Sequence, residues 1–239
     1  MNVTVIGCST SWTDRPTSSY CIDGDTLVDC GEGTLKYYDK SKVDFYKIKN
    51  IFITHFHSDH TLCLVQFFCQ YISYAKPEEK KTLTIYGGKG LKKYLNYLLL
   101  TNADHDDINI EDYINIVELE DYANPIHVGK YDIKLFKFMH GKLENTAYVF
   151  DDGESKVGFS GDLGMQDGID KFISCCDAVF LECCGKKSSG SHLGYNDYKS
   201  FENLHKNVKF FAIHCVNDVY LHEKELDIIC AHHSKSYEL

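Results

Sequence analysis

The segment His55-Phe56-His57-Ser58-Asp59-His60 constrains this chain more than any other. It follows Lys49–Thr54, an apolar and β-branched run that reads as a strand. It precedes Leu62, Val65, Phe68, Cys69 and Ile72, whose spacing predicts a helix over Thr61–Tyr74. Alternate residues just past a strand point the same way, so His55 and His57 converge on one position. Asp59 and His60 fall beyond the turn, at the start of the helix, and face a neighbouring position. Imidazole and carboxylate together suit zinc, with manganese or iron as alternatives.

Other chemically able residues also sit just after predicted strands. Asp29 ends Thr26–Asp29, His140 follows Asp132–Met139, and Asp162 follows Lys156–Ser160 in the turn Gly161-Asp162. Glu182 closes Ala178–Glu182, and His214 ends Lys209–His214. His192 lies in the loop between these last two strands. Strand ends fix positions while loops leave freedom, so the set reads as one site. Further strands are predicted at Val3–Gly7, Ser18–Ile22, Thr82–Tyr86 and Thr146–Phe150, with helices at Leu91–Leu100 and Tyr195–Lys206. Asp23-Gly24-Asp25 and Asp151-Asp152-Gly153-Glu154 are hairpin turns, and Gly87-Gly88-Lys89-Gly90 is a strand-to-helix turn. Strands in both halves with helices between them predict an α+β chain, an αββα sandwich, built as one domain over residues 1–239.

Composition narrows the function. The formal charge of −10, with scattered lysines, offers no general attraction to phosphate backbones. No stretch approaches a membrane span and the first residues carry no signal peptide, so a cytoplasmic location is expected. The 11 cysteines include no Cys-x-x-Cys pair and read as reduced, mostly buried thiols. His105, His127, His205, His222, His232 and His233 read as surface groups. Phe67, Phe68, Tyr71 and Tyr74 read as core and interface, not as a base-stacking platform, and Lys89, Lys92 and Lys93 as a solvated helix face.

The order Asp29, His55-x-His57-x-Asp59-His60, His140, Asp162, His214 resembles the metallo-β-lactamase superfamily. Leu27-Val28-Asp29-Cys30-Gly31-Glu32-Gly33-Thr34, Ile51–His55, Ile85-Tyr86-Gly87 and Ser191-His192 resemble ribonuclease Z and its phosphodiesterase relatives. The resemblance covers nearly the whole chain and implies two mixed β-sheets with outer helices. It further implies two Zn(2+) per chain, the first held by His55, His57 and His140, the second by Asp59, His60 and His214, with Asp162 bridging. A hydroxide between the ions would attack phosphorus, with Asp59 orienting it, His192 serving the leaving oxygen and Glu182 orienting His192. Asp29 would support the ligands, and a homodimer is expected because dimers are common in this branch.

Two departures separate the chain from tRNA-processing relatives. No Gly-rich basic run lies between His60 and His140, where the chain is instead acidic at Asp104–Asp107 and Glu118–Asp121. Gly141-Lys142-Leu143-Glu144-Asn145-Thr146 also lacks the aromatic-arginine pattern of those enzymes. The expected activity is therefore hydrolysis of a small phosphodiester, such as a 3′,5′-cyclic nucleotide. The alternatives are a tRNA 3′-end endonuclease, a thioester or lactone hydrolase, and a metal-stabilised binding module without catalysis.

Overall fold

The computed structural model describes residues 1–74, 82–100 and 109–239. Asp104–Asp107, with His105 among them, lie outside the described residues. The first sheet contains β1 (Asn2–Gly7), β2 (Ser19–Ile22), β3 (Thr26–Val28), β4 (Asn50–Ile53), β5 (Leu83–Gly88), β6 (Ile114–Leu119) and the C-terminal β13 (Lys235–Glu238). Their order is β13-β1-β2-β3-β4-β5-β6. The second contains β7 (Ile126–Val128), β8 (Tyr131–His140), β9 (Leu143–Asp151), β10 (Lys156–Phe159), β11 (Ala178–Glu182) and β12 (Lys209–Ile213), ordered β12-β11-β10-β9-β8-β7.

Strands β3 to β6 pair in parallel, which requires a crossover between each and the next. Helices α1 (Thr34–Ser41), α2 (Ser58–Thr61), α3 (Leu64–Tyr74) and α4 (Leu91–Leu100) occupy those crossovers. The remaining helices are α5 (Ile169–Ile173), α6 (Tyr195–Leu204), α7 (Asn217–Leu221) and α8 (Glu223–Leu226).

The continuous apolar run of β4 follows from burial on both faces. Phe52 points between the sheets, with ring centroids 5.4 Å from Tyr148 and 5.1 Å from Phe150. Ile51 and Ile53 point the other way and share a core with Leu64, Phe67 and Leu95 of the crossover helices. Aromatic rings fill much of the layer between the sheets: Tyr20 lies against Phe159, Phe159 stacks on Phe180, and Phe180 stacks on Phe211. Phe67 and Phe68 are buried, as their helical spacing predicts.

Several boundaries differ from the sequence reading. The helix expected over Thr61–Tyr74 is two helices broken at Leu62-Cys63. The His60 carbonyl accepts from the Cys30 amide at 2.8 Å, so a neighbouring segment takes the acceptor that a continuous helix would use. Gly87-Gly88 is the end of β5 and not a turn. A Cβ on Gly87 would stand 3.3 Å from Leu91, so close packing of α4 explains the glycine. Strand β9 begins at Leu143, which pairs with His140 around the two-residue turn Gly141-Lys142. β13 escaped the reading because its polar residues carry no pattern; it is defined by its antiparallel pairing with β1. All 11 cysteines are free thiols and eight of them are buried.

Candidate metal centre

Five strand ends converge along one edge of the sandwich. The chain leaving β4 carries His55 and His57, then enters α2 with Asp59 and His60. β8 ends on His140, β11 on Glu182, and the residues after β10 and β12 include Asp162 and His214. Gly161 has φ +60°, and a Cβ there would lie 2.2 Å from Asn145 Oδ1. Only glycine lets the turn place Asp162 so close to the strands. Asp29 and His214 adopt positive φ of 58° and 55°, which is uncommon for residues with side chains. The His214 amide donates to the Cys8 carbonyl at 2.7 Å, holding that conformation.

Two ligand clusters share Asp162. In the first, His57 Nδ1 lies 3.1 Å from His55 Nε2 and 3.2 Å from His140 Nε2. Asp162 Oδ2 lies 3.9 Å from both of those Nε2 atoms. In the second, His214 Nε2 is 3.2 Å from Asp59 Oδ2 and 3.2 Å from Asp162 Oδ2, while His60 Nε2 is 3.3 Å from Asp162 Oδ1. Ligands about 2.0–2.1 Å from a tetrahedral zinc are separated from each other by roughly 3.3 Å. The donor spacing in both clusters fits such an ion.

Supporting hydrogen bonds fix which nitrogen is free. Asp29, fully buried, accepts His60 Nδ1–H at 2.7 Å and the Thr54 amide at 2.8 Å. The Thr54 hydroxyl also donates to Asp29 at 2.9 Å and lies 3.2 Å from His55 Nδ1, whose proton it can accept. His140 Nδ1–H donates to the Ser191 carbonyl at 2.7 Å. Each of these imidazoles therefore turns an Nε2 lone pair toward its cluster. Lone pairs facing one another at this distance need a cation between them.

Electrostatics agree. Burial, reinforced by neighbouring imidazoles, holds His55 well below its usual value, leaving it neutral and able to ligate. For His60 burial acts downward, but the carboxylates of Asp162 and Asp29 win and raise it to about 10, so the surrounding negative charge favours a cation at this imidazole, whether a proton or a metal in its place. Burial would raise Asp162, yet His214 and His60 hold it well below the carboxylate range. Asp162 Oδ1 and Oδ2 and His60 Nε2 are buried without any hydrogen-bond partner. Orphaned buried groups of this kind are rare and call for an ion. The residues present fit metal coordination, and Asp162 is common to both clusters.

Beside the clusters, Glu182 Oε1 accepts His192 Nδ1–H at 2.5 Å. Glu182 Oε2 accepts the Leu163 amide at 2.8 Å, so the carboxylate is held from both sides. Burial pulls His192 down, but the Glu182 hydrogen bond and charge leave it raised overall. Glu182 Oε1 also lies 3.2 Å from His214 Nδ1, close enough for charge attraction but without hydrogen-bond alignment.

Residues 1–227 match the family described as anti-Pycsar protein Apyc1. The chain belongs to the Apyc1 family. Ribonuclease Z from Borrelia hermsii is 28% identical to this Apyc1-family chain over 204 residues, 78% of the chain and 62% of that protein. The chain spans less than two thirds of the length of the curated relatives it matches first. The metallo-β-lactamase fold protein YhfI from Bacillus subtilis superposes with a TM-score of 0.82 at 20% identity, covering 100% of this chain and 99% of that one. A diphosphatase from the PhnP family superposes with a TM-score of 0.80 at 17% identity, over 100% of this chain and 97% of that one. The Apyc1-family chain thus has the metallo-β-lactamase fold, two mixed sheets flanked by helices, and is similar in sequence to ribonuclease Z.

All nine residues singled out from the sequence of this Apyc1-family member, His55, His57, Asp59, His60, His140, Asp162, Glu182, His192 and His214, meet at this edge. The described surface histidines do not join it; His127, His205 and His232 pair with Asp132, Asp170 and Glu223. Sequence reasoning missed Thr54, Ser191 and Cys184. Cys184 groups with Glu182, His192 and His214, and its place two residues after Glu182 was the available signal.

Proposed function

We propose that this chain is a metal-dependent phosphodiesterase acting on a small phosphodiester, with 3′,5′-cyclic nucleotides as the best candidates. The observation that carries the reading is Asp162, whose buried, unpartnered carboxylate stands between two clusters of imidazoles. In this reading His55, His57 and His140 hold one Zn(2+) and Asp59, His60 and His214 the other, with Asp162 shared. When bound, the ions supply Lewis acidity for the phosphoryl oxygens and bring the pKa of water toward neutrality. Asp59, 12% exposed at its side chain, would orient the attacking water. His192, its Nδ1 committed to Glu182, presents Nε2 to the substrate and delivers a proton to the departing oxygen. Asp59, Glu182 and His192 are the catalytic set, and residues 1–239 act as one domain.

A small substrate fits the net charge of −10, because nucleic-acid affinity comes mainly from phosphate neutralisation. The diphosphatase named among the structural neighbours is consistent with small phosphate esters. A cytoplasmic location accords with 11 free thiols, which persist in reducing compartments. Among the described residues no helix is long and apolar enough to cross a membrane. The second reading, a tRNA 3′-end endonuclease, is favoured by the name ribonuclease Z on the curated relatives. Comparing kcat/KM of the zinc-loaded protein on cyclic nucleotides, generic phosphodiesters and precursor tRNA decides between them. Position-specific cleavage of precursor tRNA, with negligible activity on every cyclic nucleotide, would reject the small-substrate reading.

A further inference from the structure

A third group of donors stands beside the two that share Asp162. Glu182, Cys184, His192 and His214 each bring one ligand atom to within 4.8 Å of the others. Among the described residues this is the one donor group that includes a thiol. Cys184 lies two positions after Glu182, just past the end of β11, so the two side chains point the same way while Cys183 between them turns into the core. Backbone bonds fix it there. The Cys184 amide donates to the Leu193 carbonyl at 3.0 Å, and the Cys184 carbonyl accepts from the Val216 amide at 2.9 Å. The residue is thereby held between the loop that carries His192 and the segment that follows His214.

Two observations point to an ion at this place and not to a passive thiol. His214 turns Nε2 toward Asp59 and Asp162, which leaves Nδ1, on the other side of the ring, facing Glu182 and Cys184. That Nδ1 is buried and has no hydrogen-bond partner, although Glu182 Oε1 lies 3.2 Å away. An orphaned buried nitrogen of this kind calls for an ion. The second observation is the donor set. Carboxylate, thiolate and imidazole are zinc ligands, and thiolate sulfur selects soft ions over magnesium or calcium. Cys184 is half-buried and the His192 side chain 28% exposed, so an ion can enter from solvent.

We propose that Glu182, Cys184 and His192, with His214 Nδ1 beside them, form a third metal site that zinc fills only in excess of the pair. Binding forms bonds from the metal to Cys184 Sγ, Glu182 Oε1 and His192 Nδ1. It releases two protons to solvent, one from the thiol and the one that His192 Nδ1 shares with Glu182. Giving up that hydrogen bond and those protons makes the site weaker than the buried clusters. The effect on turnover rests on the phosphodiesterase reading. With a metal on Nδ1, His192 can release its Nε2 proton only by becoming an imidazolate, so proton delivery to the departing oxygen stops. Zinc at this third position is therefore an inhibitor.

Cobalt(II) stands in for zinc and reports thiolate ligation through a sulfur-to-metal absorption band in the near ultraviolet. Neither of the other donor groups contains a thiol. Metal-free protein titrated with cobalt should thus show no such band through the first two equivalents and gain it with a third. Cys184→Ser should bind two equivalents and never show the band. In the wild type, the third ion should also protect Cys184, but not Cys69 or Cys175, from iodoacetamide, as mapped by mass spectrometry; this arm needs no variant. Excess zinc should lower turnover of 3′,5′-cyclic AMP by roughly 10²- to 10⁴-fold, the contribution of a positioned acid. Cys184→Ser should resist that loss, each protein being measured against its own two-zinc rate. No band at any excess of cobalt, or a band that survives Cys184→Ser, overturns the third site. A third ion that leaves turnover untouched overturns its inhibitory role. A protein that shows the band but hydrolyses no diester rejects the phosphodiesterase reading and leaves the metal site standing.

Discussion

Glu182 has more contacts than orientation of one imidazole requires. Its carboxylate accepts from His192 Nδ1 and from the Leu163 amide and approaches His214 Nδ1, all in a fully buried position. His192 is 28% exposed at its side chain and touches the clusters only through ring contacts with His140 and His214. His192→Ala is therefore expected to keep the bound metal while kcat falls roughly 10²- to 10⁴-fold, the usual contribution of a positioned acid–base group. Glu182→Gln should lower both kcat and metal content, because it disturbs the support of His214 as well. Elemental analysis beside steady-state kinetics separates the two; a His192→Ala protein stripped of metal would make His192 a ligand. Asp29 belongs to the same scale. It binds no substrate in the proposed arrangement, yet it fixes His60 and Thr54 together. Asp29→Asn should weaken metal binding by roughly 10- to 100-fold, the scale for supporting partners of metal ligands, as read by competition with a chromogenic chelator.

The β2–β3 turn shows how one element ties the sheets together. The Asp25 amide closes it on the Ile22 carbonyl, and both central residues, Asp23 and Gly24, have positive φ, as hairpin twist demands. Asp23 then accepts the Asn2 amide at 2.7 Å, Tyr131 OH at 2.6 Å and Lys130 Nζ at 2.8 Å, reaching from the first sheet to β8 of the second. Burial would raise the Asp23 pKa, but these donors outweigh it and lower the value below 3.8. A carboxyl with a depressed folded pKa contributes stability above its unfolded pKa, near 3.9, and loses it as pH falls through the folded value. Asp23→Asn should cost roughly 1 kcal/mol at pH 7, and the difference from wild type should shrink as acid takes the pH down through the lowered folded pKa. Urea unfolding at neutral pH and in acid checks this. A difference that persists unchanged in acid would assign the effect to shape and not to charge.

For the molecule as a whole, the donor sets predict two transition-metal ions per chain. Ions held by these residues would tie together strands from both sheets, so binding should stabilise the entire sandwich and not one loop. Removing metal with a chelator should lower Tm by roughly 5–10 °C, corresponding to a few kcal/mol of linkage in a chain of this size, and zinc should restore it. One ion per chain in carefully loaded protein would contradict the paired centre. The expected homodimer is read by light scattering coupled to size exclusion, where a mass near 27.4 kDa would instead show a monomer. Trp12 is 88% and Leu221 77% exposed, a pair of large apolar side chains that a subunit contact would cover.

Local order in the chain was enough to mark the ligands. His55 to His60 carry their chemistry at strand and helix spacing, and His140, Asp162, Glu182 and His214 each sit at or just beyond a strand end, a position that alternating apolar residues announce. The strong strands were legible for the same reason, since β4 and β11 are buried along most or all of their length and are apolar except for Asn50 at the start of β4 and Glu182 at the end of β11. Other features depend on contacts between distant segments and leave no local trace. The break between α2 and α3 arises because Cys30 takes the His60 carbonyl, and β13 exists only by pairing with β1. Thr54 and Ser191 look unremarkable in sequence, yet one hydroxyl and one carbonyl direct the lone pairs of His55 and His140. Residue type is a property of the chain, whereas the direction of a lone pair is set by whatever folding brings within hydrogen-bond reach.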